Sequence, residues 1–334
     1  MILSGACAAF TLVCILSFLF LHGIHLSRPS EQIKIMRIGL LLPLYACISF
    51  LSICFPNAYV YIMPWIDVYQ AIALATFFLL MNDLVWPTSD RRDMHLSSMA
   101  VPQKGRKAAN GPLPGHTWYK RRYLAVFQYM PVALVAAVAA CITQAAKVYC
   151  LESSKPYFAH FWLDLIKSFA VTVSVLSNIN FYKVFVAHLK AHKAMSKLLA
   201  FKLPVFFTFV LQIVWWGLRS QNVLKPNSKL TYADLYLGIQ SLIICVLMVP
   251  LSVFFWYAYS IQPYRIRHTT KSVSDGDGDG DGVWEPTQEY HPLRPLSYQG
   301  GFLGIRAWLA MLNPSDIIQA FGFCFDLISN KEGR

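Results

Sequence analysis

Seven stretches of about 20 mostly apolar residues follow one another along this chain, and they constrain its fold more than any other feature. As an α-helix, a stretch of that length spans the roughly 30 Å hydrocarbon layer of a bilayer. Because 56% of the 334 residues are apolar and only 14% are charged, one soluble core could not enclose so much apolar surface. The sequence predicts an all-α, seven-helix membrane bundle with spans at Ile2–Leu21, Met36–Phe55, Met63–Trp86, Tyr123–Ala146, Trp162–Ala187, Leu203–Leu218 and Leu235–Tyr259.

Lysine and arginine lie mainly in alternate connectors between these spans. Residues 22–37, 87–122, 188–202 and the tail after 259 hold twenty-two of them, whereas the other connectors hold five. Positive residues that flank a span are retained in the cytosol. We therefore expect an outside or lumenal N-terminus and a cytosolic C-terminus. The net charge of +12 then reflects topology, and nucleic acid is not an expected partner.

The chain divides into a transmembrane domain, a linker and a tail. Residues 1–262 form the predicted seven-helix domain, within which the cytosolic loop 88–120 mixes Pro, Gly and basic residues and is expected to be flexible. Residues 263–297 include SDGDGDGDG and are predicted to be a disordered acidic linker. Residues 298–334 are predicted to form an amphipathic helical tail, in which Asn313 and Pro314 mark a helix start. Two interpretations of the tail stay open: a helix packed on the cytosolic end of the bundle, or an interfacial helix that contacts headgroups or a partner.

The sequence gives little reason to expect a metal or another cofactor. Asp275, Asp277 and Asp279 match the start of an EF-hand loop, but its twelfth position, which needs a glutamate, is Pro286. His188 and His192 have the i, i+4 spacing of zinc ligands, but no third ligand or catalytic acid is placed with them. The eight cysteines are spread singly, and a disulfide between Cys54 and Cys150 stays open if the compartment is oxidising.

Polar side chains in the fifth span are the main candidates for a solute site. Asp164, Lys167, Ser174, Asn178 and Tyr182 fall within about a third of the helix circumference at 3.6 residues per turn. We call them the polar stripe. Asp164 and Lys167 are three residues apart and can form an ion pair. Polar residues inside spans are costly unless they face the bundle interior or a water-filled cavity, so the stripe is expected to line a solute path.

Other spans supply groups that can face the stripe. These are Asp67 and Gln70 on the third span, Gln212 on the sixth and Gln240 on the seventh, while Lys183 lies near the cytosolic end of the fifth. The alternative for each residue is an interhelical hydrogen bond that only stabilises the bundle.

Known enzyme signatures are absent from the sequence. It contains no nucleophile elbow, phosphate-binding loop or dinucleotide fingerprint. The last span has no lysine, which excludes a retinal Schiff base. We therefore do not expect an enzyme.

Three stretches in order along the chain resemble the organic solute transporter alpha-subunit (Ost-alpha) family. They are RIGLLLPLYACISFLSICFP from Arg37 followed by VYQA from Val68; the set Phe181-Tyr182, Leu189, Lys197, Phe201-Lys202, Val205-Phe206 and Gln212; and LNPSDII from Leu312. The resemblance implies a seven-helix protein with an outward N-terminus, in the plasma membrane or an endomembrane. Characterised members move sterol and bile-acid conjugates by facilitated diffusion with a single-span beta subunit. This chain departs from the pattern at Gln70, where relatives often have an acidic residue, so a specific substrate is not carried over.

Two functions follow as hypotheses. The first is facilitative transport of an amphipathic organic solute, a sterol-conjugate or lipid-like anion, whose head is attracted by Lys183, Lys197 and Lys202. Besides the bilayer and the solute, its partners would be a single-span subunit or a second copy of the chain. The second is a non-transporting heptahelical scaffold or receptor that acts in trafficking or signalling through its cytosolic tail.

Overall fold

The protein is a bundle of long apolar helices with a helical tail docked on one end. The computed structural model describes residues 1–102, 111–150, 157–190, 194–220, 234–265 and 298–329. The all-α architecture is confirmed. Within the described residues, the helices are α1 Ile2–Ile24, α2 Pro29–Gly39, α3 Leu41–Cys54, α4 Tyr59–Ile62, α5 Pro64–Val85, α6 Ser89–Ser98, α7 Gly115–Phe127, α8 Tyr129–Ala145, α9 Ala159–Val184, α10 Val186–Lys190, α11 Ala194–Ser220, α12 Ile239–Ala258, α13 Ile305–Leu312 and α14 Ser315–Ser329.

Six helical segments among the described residues are long and apolar enough to cross a membrane. Several of them join two successive helices, as α2 with α3 and α7 with α8. Their bounds are Ile2–Ile24, Pro29–Cys54, Pro56–Val85, Gly115–Ala145, Ala159–Val184 and Ile239–Tyr264. The predicted sixth span lies in α11, whose apolar part, Leu199–Trp215, is shorter than the others.

Contacts at both ends of α11 show how it runs through the bundle. At its start, the hydroxyl of Tyr259 at the end of α12 donates a hydrogen bond to the Lys197 carbonyl at 3.1 Å. Near its other end, Trp215 packs against Leu235, just before α12. Helix α11 therefore extends antiparallel to α12 from one end of the bundle to the other. We call these the tail end, where Tyr259 lies, and the Met1 end.

The segment 88–120 contains more regular structure than its composition suggests. Residues 89–98 form α6, and Ala100–Val101 pairs antiparallel with Leu113–Pro114 before α7 begins at Gly115. Helix α6 is held at the bundle because Leu96 is buried and the Trp86 indole donates to His95 at 3.0 Å. Burial of Leu96 and the contact with Trp86 stabilise α6, although most residues of the segment are polar. The residues 103–110 of this predicted loop and nearly all of the predicted linker lie outside the described residues.

The tail packs tightly on the bundle. Arg37, in the last turn of α2, is 4% exposed. Its guanidinium donates to both carboxylate oxygens of Asp316, at 2.8 and 3.0 Å. It also donates to the carbonyls of Met311 at 3.1 Å and Asn313 at 2.9 Å. This contact joins two of the sequence motifs, RIG and LNPSD, that lie far apart along the chain.

Further contacts fix the tail helices. Gly304 has φ +75°, and a Cβ atom there would lie 2.7 Å from the backbone of Gly23, so the tail approaches α1 more closely than a larger residue allows. The Asn313 side chain accepts from the Ser315 amide at 3.0 Å, as expected for the residue that caps α14. Burial raises the pKa of the Cys324 thiol to about 12, so this cysteine serves as an apolar packing residue. Helices α13 and α14 thus pack on the tail end of the bundle through one face, and their other face stays exposed.

Cys54 and Cys150, for which the sequence left a disulfide open, are both free thiols.

Candidate functional site

A cavity of about 590 Å³ lies between α9 and α11. Its volume falls in the range of ligand pockets. Apolar residues that line it are also strongly exposed on both helices: Leu165 is 52% and Leu176 51% exposed on α9, and Phe206 is 57% and Ile213 52% exposed on α11. Exposed apolar rims in the middle of a membrane bundle face lipid. The cavity is therefore a cleft that opens sideways, and we call it the lateral cavity.

Four ionisable side chains form a connected cluster at the Met1 end of the lateral cavity. The Lys167 ammonium lies 2.9 Å from a carboxylate oxygen of Asp67 on α5 and 3.1 Å from one of Asp164 on its own helix. His160 Nε2 lies 2.9 Å from the second oxygen of Asp164. We call Asp67, His160, Asp164 and Lys167 the charged cluster. The pair between Asp164 and Lys167 that the spacing predicted is confirmed, and Asp67 is its additional partner.

A second cavity of about 130 Å³ meets the first at this cluster. All four members of the charged cluster line both cavities, as do Thr208 and Gln212 of α11. The smaller cavity continues among polar and aromatic side chains near the start of α5 and α12, and we call it the Met1-end cavity. Its remaining lining is Tyr45, Tyr59, Val60, Met63, Pro64, Ile66, Tyr149, Trp215, Gln240 and Ile244. The charged cluster thus separates a lipid-facing cleft from a more polar pocket.

The structure divides the polar stripe into two parts. Asp164 and Lys167 line the cavities, whereas Ser174, Asn178 and Tyr182 are buried in helix packing and do not line them. The Ser174 hydroxyl donates to the Val126 carbonyl on α7 at 3.3 Å, and the Asn178 amide donates to the Ser174 carbonyl at 3.1 Å. Beyond Asp164 and Lys167, the cavity side of α9 is mostly apolar with small hydroxyls, Ser168 and Thr172. The face of α9 that lines the cavity is therefore not the face of the polar stripe. It is rotated from the stripe toward a more apolar side of the helix.

The other sequence candidates are spread along the two cavities. Gln70 lines the lateral cavity and accepts a hydrogen bond from the Tyr45 hydroxyl. Gln212 lines both cavities, and Gln240 lines the Met1-end cavity. Lys183 is exposed at the tail end and does not line either cavity.

Two more lysines lie near the start of α11. Lys202 lines the lateral cavity at its tail end, whereas Lys197 is buried and lies outside its lining. No ion pair involves Lys183 or Lys202 within the part of the chain that the structure describes. The lateral cavity therefore has free positive charge at its tail end and the charged cluster at its Met1 end.

Sequence reasoning missed His160 as a member of the site. It lies just before the predicted start of the fifth span, but it precedes Asp164 by four residues, the spacing at which two side chains meet on one helix face. Thr208 was also missed, because a single threonine in an apolar helix gives no signal in a polarity pattern. A threonine hydroxyl can bond to its own helix, as that of Thr208 does to the Pro204 carbonyl. Of the candidate metal ligands, His188 is exposed on α10 and His192 lies outside the described residues.

Comparison with known proteins identifies the family to which this chain belongs. A family model described as "Organic solute transporter Ostalpha" matches residues 1–264, which include both cavities and every described helix before the tail. The chain belongs to the Ostalpha family. The family is one of membrane transporters of organic solutes, so the chain is a multi-pass integral membrane protein, and the resemblance seen in the sequence motifs is confirmed.

Curated relatives are distant and longer than this chain. A transmembrane protein 184 homologue of Dictyostelium discoideum is 24% identical over 263 residues, which is 75% of this chain and 50% of the relative. Protein LAZ1 homolog 1 of Arabidopsis thaliana is 25% identical over 280 residues, 77% of this chain and 57% of the relative. Protein LAZ1 of the same plant is 24% identical over 291 residues, 78% of this chain and 58% of the relative. The chain spans about half the length of these curated relatives. No solved structure gave a significant match.

Proposed function

We propose that this protein carries an amphipathic organic solute, a sterol-conjugate or lipid-like anion, across the membrane by facilitated diffusion. The observation that carries the proposal is the lateral cavity, which has lipid-facing apolar rims and a polar floor that continues into a second cavity. An amphipathic molecule dissolved in the bilayer can enter such a cleft sideways, keep its apolar body against α9 and α11, and bring its polar groups to the floor.

The proposed topology has seven spans, an outside or lumenal Met1 end and a cytosolic tail end. The path of α11 from Lys197 to Trp215 between the two ends supports the seventh crossing. Although its apolar part is short, α11 has 27 residues, which extend about 40 Å at 1.5 Å per residue. The excess of lysine and arginine in the tail-end connectors supports the orientation.

Lys202 is proposed to attract the anionic head of the solute at the cytosolic end. It lines the lateral cavity, and the exposed Lys183 adds positive charge nearby. A single-span partner helix or a second copy of this chain would be accommodated along the exposed apolar face of α9, where Ile166 and Phe169 are 51% and 73% exposed.

Filling the lateral cavity is expected to stop transport. Val175 lines the cavity, so Val175→Trp would place an indole where the solute body lies. We expect uptake of sterol conjugates and fatty-acid derivatives into proteoliposomes to fall to the level of protein-free vesicles. Val253→Trp makes the same change at a 53% exposed position of α12 that does not line the cavity, and this variant should transport like the wild type.

Equal flux in the two variants would contradict the assignment of the cavity as the path. If the wild-type protein moves no compound of the panel, the scaffold or receptor hypothesis is favoured instead. The exposed apolar face of the tail supports that second function, because Leu309, Leu312, Ile318 and Phe325 are each more than 60% exposed.

Removing the charge of Lys202 is expected to alter solute selectivity. Lys202→Met should lower the uptake of an anionic sterol conjugate and leave that of an uncharged sterol of similar size unchanged, because only the anion gains from the positive charge. Lys202→Arg keeps the charge and should restore anion uptake. A parallel loss of both solutes in Lys202→Met would show that the lysine acts through packing.

A further inference from the structure

The charged cluster carries an unbalanced charge when its histidine is neutral. It contains two carboxylates, Asp67 and Asp164, and one ammonium, Lys167, so its sum is then one negative charge. Among the described residues that line the two cavities, the remaining cation is Lys202, which is ten residues from Gln212 along α11 and therefore about 15 Å from the cluster along the helix axis. An uncompensated charge at a lipid-facing site is costly.

Among the described residues that line the two cavities, no other side chain near the cluster supplies the missing charge. Helices α3, α4, α5, α8, α11 and α12 and the residues just after α8 contribute phenols, a hydroxyl and amides to the lining of the two cavities. Phenols stay neutral near pH 7, and hydroxyls and amides carry no charge. These groups are Tyr45, Tyr129, Tyr59, Tyr149, Thr208, Gln70, Gln212 and Gln240.

His160 is placed so that a proton on it balances the cluster. It is 8% exposed, and its Nε2 lies 2.9 Å from Asp164, so an imidazolium would donate a charge-assisted hydrogen bond to that carboxylate. The Tyr149 ring lies 5.1 Å from the imidazole, within the range of a cation–π contact. Nδ1 is buried and has no hydrogen-bond partner within the described residues, so Asp164 fixes only one of the two ring nitrogens.

We propose that His160 is a proton-binding site that controls passage between the two cavities. In both states Nε2–H donates to Asp164, and the proton that is gained or lost resides on Nδ1. With the proton bound, the cluster is neutral and admits an anionic head. Without it, the cluster has one net negative charge, which repels that head and holds Lys167 between the carboxylates. This second step rests on the proposed transport, whereas the binding of the proton does not.

The proton site is tested first by thermal stability in lipid nanodiscs, without any solute. The melting temperature is measured at about pH 5.5 and at about pH 8.5, two values that bracket physiological pH. His160→Gln is neutral at both. The wild type should have a melting temperature roughly 3 °C above His160→Gln at the lower pH, where its proton neutralises the cluster, and no advantage at the higher pH. The exposed His188→Gln should follow the wild type at both. An identical difference between the wild type and His160→Gln at the two pH values would overturn the proton site.

Flux measurements then test the coupling. Uptake of an anionic sterol conjugate by the wild type should be faster at the lower pH, uptake by His160→Gln should be slow at both, and uptake by His160→Lys, which keeps a positive charge, should be fast at both. A wild-type flux that does not change with pH, in a protein that passes the stability test, would overturn the gating step. Absence of all flux together with a positive stability test would overturn the transport proposal and leave the proton site intact.

Discussion

Replacing Lys167 with methionine is expected to destabilise the folded protein by about 3–5 kcal/mol, the usual effect of removing one partner from a buried ion pair. The ammonium of Lys167 lies within 3.1 Å of both Asp67 and Asp164, and its side chain is 18% exposed. Without it, two carboxylates face each other across a lipid-facing cleft. Because folded proteins are stable by only about 5–15 kcal/mol, the loss should appear as a lower melting temperature and less monodisperse protein after extraction.

Two variants separate this electrostatic effect from a general loss of packing. Lys183→Met removes an exposed lysine from the same helix and should leave the melting temperature unchanged. Combining Lys167→Met with Asp67→Asn and Asp164→Asn removes all three charges, so much of the stability should return. If the triple variant is as unstable as the single one, the cost lies in packing and the carboxylates are not the reason for it.

The long helices were predictable because the length of an apolar run decides whether a segment can span a bilayer. The same reasoning was less decisive for α11, whose apolar part is interrupted by Lys202 and Gln212. Its passage between the two ends depends on contacts with Tyr259 and Leu235, which no local pattern contains.

The candidate site was only partly predictable for a geometric reason. Spacing along one helix correctly gave the pair of Asp164 and Lys167, since residues three apart are neighbours on a helix surface. Spacing does not show which neighbour a helix face meets. Ser174 and Asn178 lie on nearly the same face as Lys167, yet α7 covers them, and the lateral cavity begins where that cover ends.

The amphipathic pattern of the tail does not distinguish a helix that packs on the bundle from one that contacts the membrane, since both need one apolar face. Each helix of the tail has one buried face, with Met311 and Ile317, and one exposed apolar face, with Leu312 and Ile318. The docked face is held by Arg37, a residue nearly three hundred positions away, because its five N–H donors need acceptors when it is buried.

Arg37→Met is therefore expected to release the tail from the bundle and to cost about 2–3 kcal/mol, somewhat less than the Lys167 variant. Arg37 holds Asp316 and the carbonyls of Met311 and Asn313, but Asp316 is 35% exposed, so water can replace part of what its carboxylate loses. Hydrogen–deuterium exchange in α13 and α14 should rise strongly, while exchange in α9 should stay low because the tail does not contact that helix's cavity face.

A graded series identifies the charged contact as the cause. Asp316→Asn keeps an acceptor for Arg37 but loses the charge, so its effect on tail exchange should be intermediate. Arg306→Met removes an exposed arginine from α13 itself and should have little effect on exchange in the tail. If Arg306→Met releases the tail as fully as Arg37→Met, general basicity at the tail end, and not the buried guanidinium, holds it in place. A tail that stays protected in Arg37→Met would instead show that Gly304 against Gly23 and the Tyr123 hydroxyl on the Ala320 carbonyl suffice to dock it.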